Sequence, residues 1–443
     1  MKLVERDRKH LWHPYTQEKT APLPIPIVGA KGVWLETEDG RKLLDGVSSW
    51  WVNTHGHSHP YINKALQQQA ESLEHVIFAG FTHEPAVRLS EMLAEILPDG
   101  LDRVFYSDNG STAVEVALKM AYQYWRNKGQ ERRTFVALER GYHGDTVGAM
   151  SASDESAFTK PFKDLLFTVL RADAPHALEC ERCEQVCDTS CASSLESLLE
   201  KHATDTAAVI VEPMLQGAGG MIVWQSGYLK KVRELCDRYG VLLIADEVLT
   251  GFGRTGRMFA CEHAAISPDI MCLSKALTAG YMPLGVTAAT ERVFEAFYDD
   301  DRLKTFFHGH SYCANPLACA VAIANLELFE LENTLDRIGA INRKFHEYGQ
   351  TLSQFESVRD VRIIGGVLAF ELAAADGGYL ADIGRDFYLE FLRRNIVLRP
   401  LGSVMLFMPP YSIKDSEIEW VFESISDVLL VFERFGVARV DES

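Results

Sequence analysis

The chain has 443 residues, of which 47% are hydrophobic and 24% are charged, the balance of a folded globular protein and not of a disordered one. A chain of this length exceeds the size of one simple core, so we expect two domains, or one large domain with a smaller one. The formal net charge of −18 argues against nucleic acid and against anionic membranes as partners, because both bind basic surfaces. Small molecules are therefore the expected partners.

The first residues show no feature of export or of membrane insertion. "MKLVERDRKHLWHPYTQ" is charged and lacks the apolar centre of a signal peptide, and no run of roughly 18 or more apolar residues follows it. Nine cysteines, an odd number spread along the chain, are more typical of reduced thiols than of a disulfide framework. These features predict a cytoplasmic protein.

The first predicted element is a small hairpin in "GVWLETEDGRKLLD", with its turn at Asp39-Gly40. Shortly after it, His55, His57 and His59 alternate in "HGHSHP". Alternating histidines suggest a metal site, but the following Pro60 is typical of a helix start. We therefore interpret this stretch as an entry loop, with a metal site as the alternative.

From about residue 60 to residue 325, runs of aliphatic and β-branched residues alternate with helical patterns. Long segments between successive strands indicate parallel crossovers, so this region predicts a wound α/β sheet. The predicted strands are "RVFYS" (103–107), "TFVALE" (134–139), "AAVIVEP" (207–213), "VLLIADEV" (241–248) and "DIMCLS" (269–274).

A helix with an apolar face from Val114 to Ala121 follows the first of these strands, and Gly110, Ser111 and Thr112 precede it. Backbone N–H groups at such a helix start attract a phosphate dianion. An ordinary capped helix has the same pattern. Taken alone, this stretch leaves both interpretations open.

Four cysteines, Cys180, Cys183, Cys187 and Cys191, lie close together in "CERCEQVCDTSC". Their spacing suits zinc or an iron–sulfur cluster. The segment is a surface excursion between strands, however, so free thiols or an adventitious disulfide are the alternatives. We expect no metal at the active centre.

The strand "VLLIADEV" ends in two acids, Asp246 and Glu247, and a buried carboxylate needs a partner. A Walker B strand of an ATPase is one interpretation, but the sequence contains no Gly-Lys pair and hence no Walker A loop. "GFGRTG" (251–256) matches the glycine pattern of dinucleotide-binding proteins, but no convincing helix follows it.

Lys275 supports a third interpretation, because it follows the next strand, "DIMCLS". Asp246 and Lys275 would then emerge at the carboxyl ends of strands in one sheet, where wound α/β proteins bind ligands. A lysine in such a place can form a Schiff base with pyridoxal 5'-phosphate, and an acid must keep the ring nitrogen of that cofactor protonated. Together with Gly110, Ser111 and Thr112 as the phosphate cradle, these residues predict a pyridoxal-phosphate site.

Beyond about residue 325 the pattern changes to that of an α+β unit. It comprises one long helix at 328–355, strands in "VRDVRIIG" and "GVLAFEL", and a last helix from Ser416. We therefore divide the chain into an N-terminal segment at 1–59, which contributes to the small domain and active site, a large cofactor-binding domain at 60–325 and a C-terminal small domain at 326–443.

"IADEVLTGFGRTGRMFACEHAAISPDIMCLSKAL" resembles the signature of class III pyridoxal-phosphate aminotransferases, and the resemblance continues through "SDNGSTAVEVALKMA", "YHGDT", "VEPMLQGAGGM" and "NPLACAVA". It implies fold type I, an α/β fold with a wound, mostly parallel sheet in the large domain and a small α+β domain formed by both chain ends. It also implies aminotransferase activity, with Lys275 binding the cofactor and moving a proton, and a homodimer with active sites at the interface.

Three further stretches, "LWHPYTQ", "DGVSSWW" and "LRPLGSVMLFMPPY", resemble the members of that family that aminate 8-amino-7-oxononanoate to 7,8-diaminononanoate in biotin biosynthesis. This resemblance implies that Tyr15, Trp50 and Tyr142 surround substrate and cofactor, with Tyr15 also taking part in catalysis, and that Arg399 binds the substrate carboxylate. The chemistry agrees, because a nine-carbon keto acid needs an apolar slot and one distant cation.

The resemblance further implies that "HGHSY" (308–312) reaches into the partner subunit, where Ser311 meets the phosphate, and that Gly309 contacts the substrate. Members that use S-adenosylmethionine as amino donor commonly carry "HGPTF" here, whereas "HGHSY" resembles lysine-using members. Leu406 also stands where a tyrosine is common. We expect S-adenosylmethionine as the donor, with lysine as an alternative. The alternative to this whole function is another ω-aminotransferase activity, on diamines or ω-amino acids.

Overall fold

The computed structural model describes residues 2–175, 189–373 and 382–435. Within these ranges the α-helices are α1 Leu3–His10, α2 Ser48–Trp51, α3 Pro60–Ser72, α4 Glu84–Ile96, α5 Gly110–Asn127, α6 Val147–Ala152, α7 Ser193–His202, α8 Ser226–Tyr239, α9 Glu291–Glu295, α10 Pro316–Leu331, α11 Thr334–Leu352, α12 Asp382–Arg393 and α13 Asp415–Phe435. Short 3-10 helices occur at Lys160–Leu165, Ser190–Ala192, Ala260–Ala264, Lys275–Thr278 and Arg302–Lys304.

The strands of the same ranges are β1 Ile27–Lys31, β2 Trp34–Thr37, β3 Lys42–Asp45, β4 Arg103–Ser107, β5 Thr134–Leu138, β6 Leu170–Ala172, β7 Thr206–Val211, β8 Leu215–Gln216, β9 Ile222–Val223, β10 Leu242–Asp246, β11 Ile270–Leu273, β12 Gly285–Ala289, β13 Val358–Ile364, β14 Val367–Leu372, β15 Ile396–Val397 and β16 Val404–Phe407. All the strands that the sequence predicts in the sheet region are present, and the hairpin at Asp39-Gly40 is formed by β2 and β3.

The central sheet has the strand order β4-β12-β11-β10-β7-β5-β6 in the described part of the chain. Neighbouring strands from β11 to β6 are parallel, whereas β12 is antiparallel to both β11 and β4. Every residue of β7 and β10 is buried, as expected of parallel strands that are covered on both faces. The wound, mostly parallel α/β sheet is thus confirmed. The strand β12 was not predicted from the sequence.

Two smaller sheets contain strands from the two ends of the chain. One has the order β1-β2-β3-β15, and the other has the order β13-β14-β16. β15 pairs in parallel with β3, so Asp45 lies opposite Val397. Both chain ends therefore contribute to one α+β unit, whereas the domain boundaries at residues 59 and 325 stay predictions.

The prediction of one long helix at 328–355 is wrong, because α10 ends at Leu331 and α11 begins at Thr334. Asn333 between them has a φ of 48°, a left-handed conformation that ends a helix and that asparagine adopts more readily than most residues. The last helix begins at Asp415, one residue before the predicted start. In the described ranges, no helix has the length and apolar character needed to cross a bilayer.

Candidate active site

The carboxyl ends of β10 and β11 bring the two residues of the predicted site together. Asp246 is the last residue of β10, and Lys275 begins the 3-10 helix that follows β11. Both line a cavity of about 690 Å³, together with Trp51, Ser111 and Tyr142. This confirms that the two side chains open into one cavity at the ends of parallel strands.

Asp246 is buried, and its neighbour in this protein is a histidine. His143 Nδ1 lies 2.7 Å from Asp246 Oδ2, and both side chains are at most 5% exposed. Since a carboxylate can only accept, the histidine ring donates from Nδ1 in this arrangement. Val248 donates its backbone N–H to Asp246 Oδ1 at 3.2 Å. The sequence reasoning missed His143, although it follows Tyr142 in the "YHGDT" stretch.

The second acid of the same strand, Glu247, has a different environment. Its side chain is wholly buried and accepts hydrogen bonds from the backbone N–H groups of Ala260, at 2.9 Å, and Cys261, at 2.8 Å. The Thr250 hydroxyl donates a third at 2.6 Å. Glu247 therefore fixes the chain after the strand, and Asp246 is the acid that faces the cavity.

A third buried acid, Glu212, lies just beyond β7 and also lines the cavity. It accepts hydrogen bonds from the backbone N–H groups of Tyr142 and Gly217, both at 2.9 Å. Burial raises the pKa of Glu212 to about 7, an effect that the charge on Asp246 reinforces and His143 opposes. The sequence signals for this residue were its place after a buried strand and its position in the "VEPMLQGAGGM" stretch.

Burial is also the main influence on the amine of Lys275. It lowers the pKa of Lys275, with a smaller effect in the same direction from Arg254, while the charges of Asp246 and Glu212 raise it. Because the neutral amine is the nucleophile, a lowered pKa makes a larger share of Lys275 reactive near neutral pH.

The predicted phosphate cradle lies at the start of α5, but its residues form the first turn of that helix and do not precede it. Asn109 caps the helix by accepting the Thr112 N–H at 3.0 Å, and the Thr112 hydroxyl accepts the Asn109 N–H at 3.1 Å. Gly110 and Ser111 line the cavity. Thr112 is thus engaged in the cap, and its predicted contact with phosphate stays a prediction.

This helix start has one feature that fits a phosphate group and one that fixes its packing. The free backbone N–H groups of the first turn carry the positive end of the helix dipole. A Cβ atom at Gly110 would lie 2.5 Å from Val248 Cγ1, so only glycine fits beside the strand end. A helix start, a buried acid and a lysine therefore line one cavity, and these are the groups that a pyridoxal-phosphate site needs.

Aromatic side chains connect this cavity to a second, outer cavity of about 620 Å³, which Tyr15, Trp50 and Arg399 line. The ring centroids of Tyr15 and Trp50 are 5.4 Å apart, and Arg399 Cζ lies 4.4 Å from the Trp50 ring. The Tyr15 and Tyr142 hydroxyls are 3.4 Å apart. The Tyr15 hydroxyl donates to Asp145, another residue that the sequence reasoning missed.

Gly309 and Ser311 lie apart from this group. Both are exposed, in the segment between Phe307 and Tyr312. Their predicted contacts, with substrate and with the partner's phosphate, stay predictions.

The alternative interpretations of the sequence find little support. His57 lies 2.9 Å from Asp45, and His59 lies 3.1 Å from Glu332, so these rings pair with carboxylates. No group of metal-ligating side chains occurs within the described ranges. Cys180, Cys183 and Cys187 lie outside those ranges, and their role stays open. "GFGRTG" continues into turns and the short 3-10 helix at Ala260–Ala264, not into a long helix.

Comparison with known proteins agrees with this geometry. The aminotransferase class-III family model matches residues 15–429. The chain is 47% identical, over 95% of its length and 98% of the relative's, to the adenosylmethionine-8-amino-7-oxononanoate aminotransferase of Synechococcus elongatus. The protein of that name from Geobacter sulfurreducens is 45% identical, with 96% of each chain covered.

Solved structures give the same result. A crystal structure of the Methanocaldococcus jannaschii enzyme of that name has a TM-score of 0.91 at 37% identity, covering 97% of this chain and 98% of the other. The omega transaminase from Pseudomonas jessenii, in complex with PMP, has a TM-score of 0.92 at 28% identity. The match covers 98% of this chain and 99% of the other. The chain therefore belongs to the class III aminotransferase family.

Proposed function

We propose that this aminotransferase binds pyridoxal 5'-phosphate and transfers an amino group from S-adenosylmethionine to the ketone of 8-amino-7-oxononanoate. The observation that carries the proposal is the arrangement of the two cavities, with Lys275 and Asp246 in the inner one and Arg399 in the outer one. Relatives at 45% and 47% identity that carry the corresponding name support the choice of substrates.

In the inner cavity, the helix start at Gly110 and Ser111 would hold the phosphate, and Asp246 would accept a hydrogen bond from the ring nitrogen. The bound cofactor supplies a ring that withdraws electrons from the carbon bearing the amine. His143 holds the Asp246 carboxylate in place from its other side at 2.7 Å. Lys275 Nζ would accept the proton of the carbon that bears the amine, a role for which its lowered pKa is suited.

In the outer cavity, Arg399 would bind the carboxylate of the keto acid, since a guanidinium pairs with it through two hydrogen bonds. Trp50 stacks against this guanidinium, and Trp51 lies 5.2 Å from Lys275 Nζ. The two indoles thus bridge the cation and the amine, and they give the long carbon chain an apolar wall that excludes water.

The amino donor is the part of the proposal on which the sequence gave opposing indications. "HGHSY" and Leu406 had both favoured lysine, Leu406 because a tyrosine is common at that position. The Leu406 side chain is only 2% exposed and packs in the core from β16, which argues against direct contact with a donor. The names of the relatives favour S-adenosylmethionine.

We also infer that the enzyme is a homodimer acting in the cytoplasm. Exposed aromatic side chains beside and within the predicted interface segment support the dimer, since Phe307 is 71% and Tyr312 is 63% exposed. Large exposed apolar groups commonly mark protein interfaces. Analytical ultracentrifugation of the purified enzyme tests this directly, and a sedimentation coefficient of a single chain would contradict it.

The reaction itself is tested by incubating the cofactor-loaded enzyme with 8-amino-7-oxononanoate and one amine at a time. We expect mass spectrometry to detect 7,8-diaminononanoate with S-adenosylmethionine and none without a donor. Product with lysine and none with S-adenosylmethionine would overturn the donor. Amination of another ketone by either amine, with no product from 8-amino-7-oxononanoate, would overturn the acceptor. The Lys275→Ala variant is the matched control, because it removes the reacting amine and no other group.

A further inference from the structure

The turn that carries Trp50 and Trp51 has an unusual backbone. Four consecutive residues other than glycine have positive φ angles, at 48° for Ser48, 54° for Ser49, 108° for Trp50 and 68° for Trp51. Such conformations are unfavourable for L-amino acids, and most of all for bulky side chains. They persist only where surrounding contacts hold them in place.

One carboxylate makes several of these contacts. Asp45, at the end of β3, is 1% exposed, and its Oδ1 accepts the backbone N–H groups of Ser49, at 2.9 Å, and Val47, at 3.3 Å. Its Oδ2 accepts the Ser49 hydroxyl at 2.7 Å and lies 2.9 Å from His57 Nε2. Burial raises the pKa of Asp45, but the hydrogen bonds from His57 and Ser49 outweigh it and leave this pKa lowered.

The turn also has anchors that do not depend on Asp45. The Ser48 hydroxyl donates to the Met408 carbonyl at 2.7 Å, and the Trp51 N–H donates to the Val47 carbonyl at 2.9 Å. His57 is held separately by paired backbone hydrogen bonds with Gly32, at 2.7 and 3.0 Å. Loss of one contact to Asp45 should therefore loosen the turn without unfolding the domain.

The orientation of this turn matters for both cavities. Trp50 packs against Arg399 and Tyr15, and Trp51 packs against Lys275. Because the two tryptophans are adjacent in the chain, a change at Ser49 moves both walls together. Ser49 and Asp45 also line a small cavity of about 170 Å³ beside Arg399.

We propose that Asp45, acting through Ser49, is a positioning residue for the keto acid: its carboxylate holds the turn so that Trp50 lies against Arg399 and Trp51 against Lys275. The inference rests on the proposed function, because the keto acid is the substrate whose binding it controls. Asp45 is not expected to contact the substrate.

The test compares Ser49→Ala with wild type, because this variant removes the hydroxyl donor to Asp45 and keeps the rest of the turn. We expect the KM for 8-amino-7-oxononanoate to rise about threefold to tenfold, a fraction of the free energy of one charge-assisted hydrogen bond because the other contacts of the turn remain, with kcat changed less than twofold. Asp45→Asn should have a larger effect in the same direction. Ser58→Ala is the matched control, since Ser58 also has a positive φ, of 53°, but is exposed and lies outside the cavities. The KM of this variant should equal that of wild type.

A double-mutant cycle separates positioning from general destabilisation. If Ser49 acts by placing Trp50 against Arg399, Ser49→Ala should change KM little in an Arg399→Ala background. If the two residues acted independently, the fold-changes in KM of the two single variants would multiply in the double variant. Multiplying effects, or an unchanged KM in Ser49→Ala, would overturn the inference. If Asp45→Asn fails to fold, Ser49→Ala decides alone. A wild-type enzyme that does not aminate the keto acid would instead contradict the proposed function.

Discussion

His143 Nδ1 lies 2.7 Å from Asp246 Oδ2 in the buried floor of the inner cavity. The Val248 N–H donates to Oδ1 and the histidine ring donates to Oδ2, so the carboxylate is held at both oxygens where it lines the cavity. Since the histidine is only 4% exposed, water does not compete strongly for this bond. The geometry therefore keeps Asp246 oriented as an acceptor for a protonated ring nitrogen.

Replacing Asp246 by asparagine should remove most of the activity. A neutral amide cannot hold the ring nitrogen of the cofactor protonated, and the loss of one charge-assisted hydrogen bond costs about 1.5–3 kcal/mol, or roughly 10-fold to 150-fold in rate. Stopped-flow measurement of the half-reaction with the donor gives this rate. His143→Asn should lower it less, since Asp246 retains its charge. An Asp246→Asn variant within about twofold of wild type would show that the ring lies elsewhere.

Replacing Lys275 by alanine should separate cofactor binding from turnover. Gly110, Ser111 and Asp246 remain, so we expect the cofactor to bind but to be removable by dialysis. Borohydride, which fixes the cofactor to wild-type enzyme, should fix none. Turnover should fall to background, because the amine that would move the proton is gone. Full activity in this variant would contradict the role of Lys275.

The sequence alone predicted Asp246, Lys275 and the helix start at Gly110 because each stands at the end of a regular element with a strong local pattern. The partners of these residues come from distant parts of the chain. His143 is 103 residues from Asp246, and Asp145 is 130 residues from Tyr15. Local patterns do not specify such pairs, since only the packing of the sheet brings them together.

The same reason explains the errors in the fold. β12 has the sequence "GVTAA", whose glycine and alanines resemble a loop or a helix, and only pairing between β4 and β11 makes it a strand. The break between α10 and α11 depends on a left-handed Asn333 inside an otherwise helical pattern. Tertiary pairing outweighs local propensity at β12, whereas one asparagine that readily adopts a left-handed conformation interrupts the helical pattern at 333.

Replacing Arg399 by alanine should affect the keto acid more than the donor. The guanidinium would pair with the carboxylate of 8-amino-7-oxononanoate, so the KM for this substrate should rise by about 10-fold or more, with a smaller change in the donor half-reaction. Steady-state kinetics with each substrate varied in turn measures the two effects. Arg393→Ala is the matched control, because Arg393 pairs with Glu390 on α12. Equal losses for both substrates would contradict the assignment of Arg399.

The pKa of Glu212 predicts a pH dependence of stability. Burial raises this pKa from 4.5 to about 7 in the folded chain, so folding favours the protonated acid. Below pH 4.5 the acid is protonated in both the folded and the unfolded chain, and burial has no cost through ionisation. As the pH rises from 4.5 to about 7, the unfolded chain loses this proton first, and the free energy of unfolding falls.

Glu212→Gln removes this ionisation. The free energy of unfolding of this variant should therefore rise relative to that of wild type as the pH increases from 4.5 to about 7. The relative gain in the free energy of unfolding should reach at most about 3.5 kcal/mol, from about 1.4 kcal/mol per pKa unit over the shift from 4.5 to about 7. A constant loss of about 1–2 kcal/mol opposes it at every pH, because one amide oxygen cannot serve the N–H groups of both Tyr142 and Gly217. Urea unfolding of both cofactor-free proteins at pH 5 and pH 7.5 measures the difference, and the exposed Glu95→Gln serves as the control that should show no such trend. Parallel pH profiles for wild type and Glu212→Gln would mean that Glu212 is already ionised in the folded chain at pH 5.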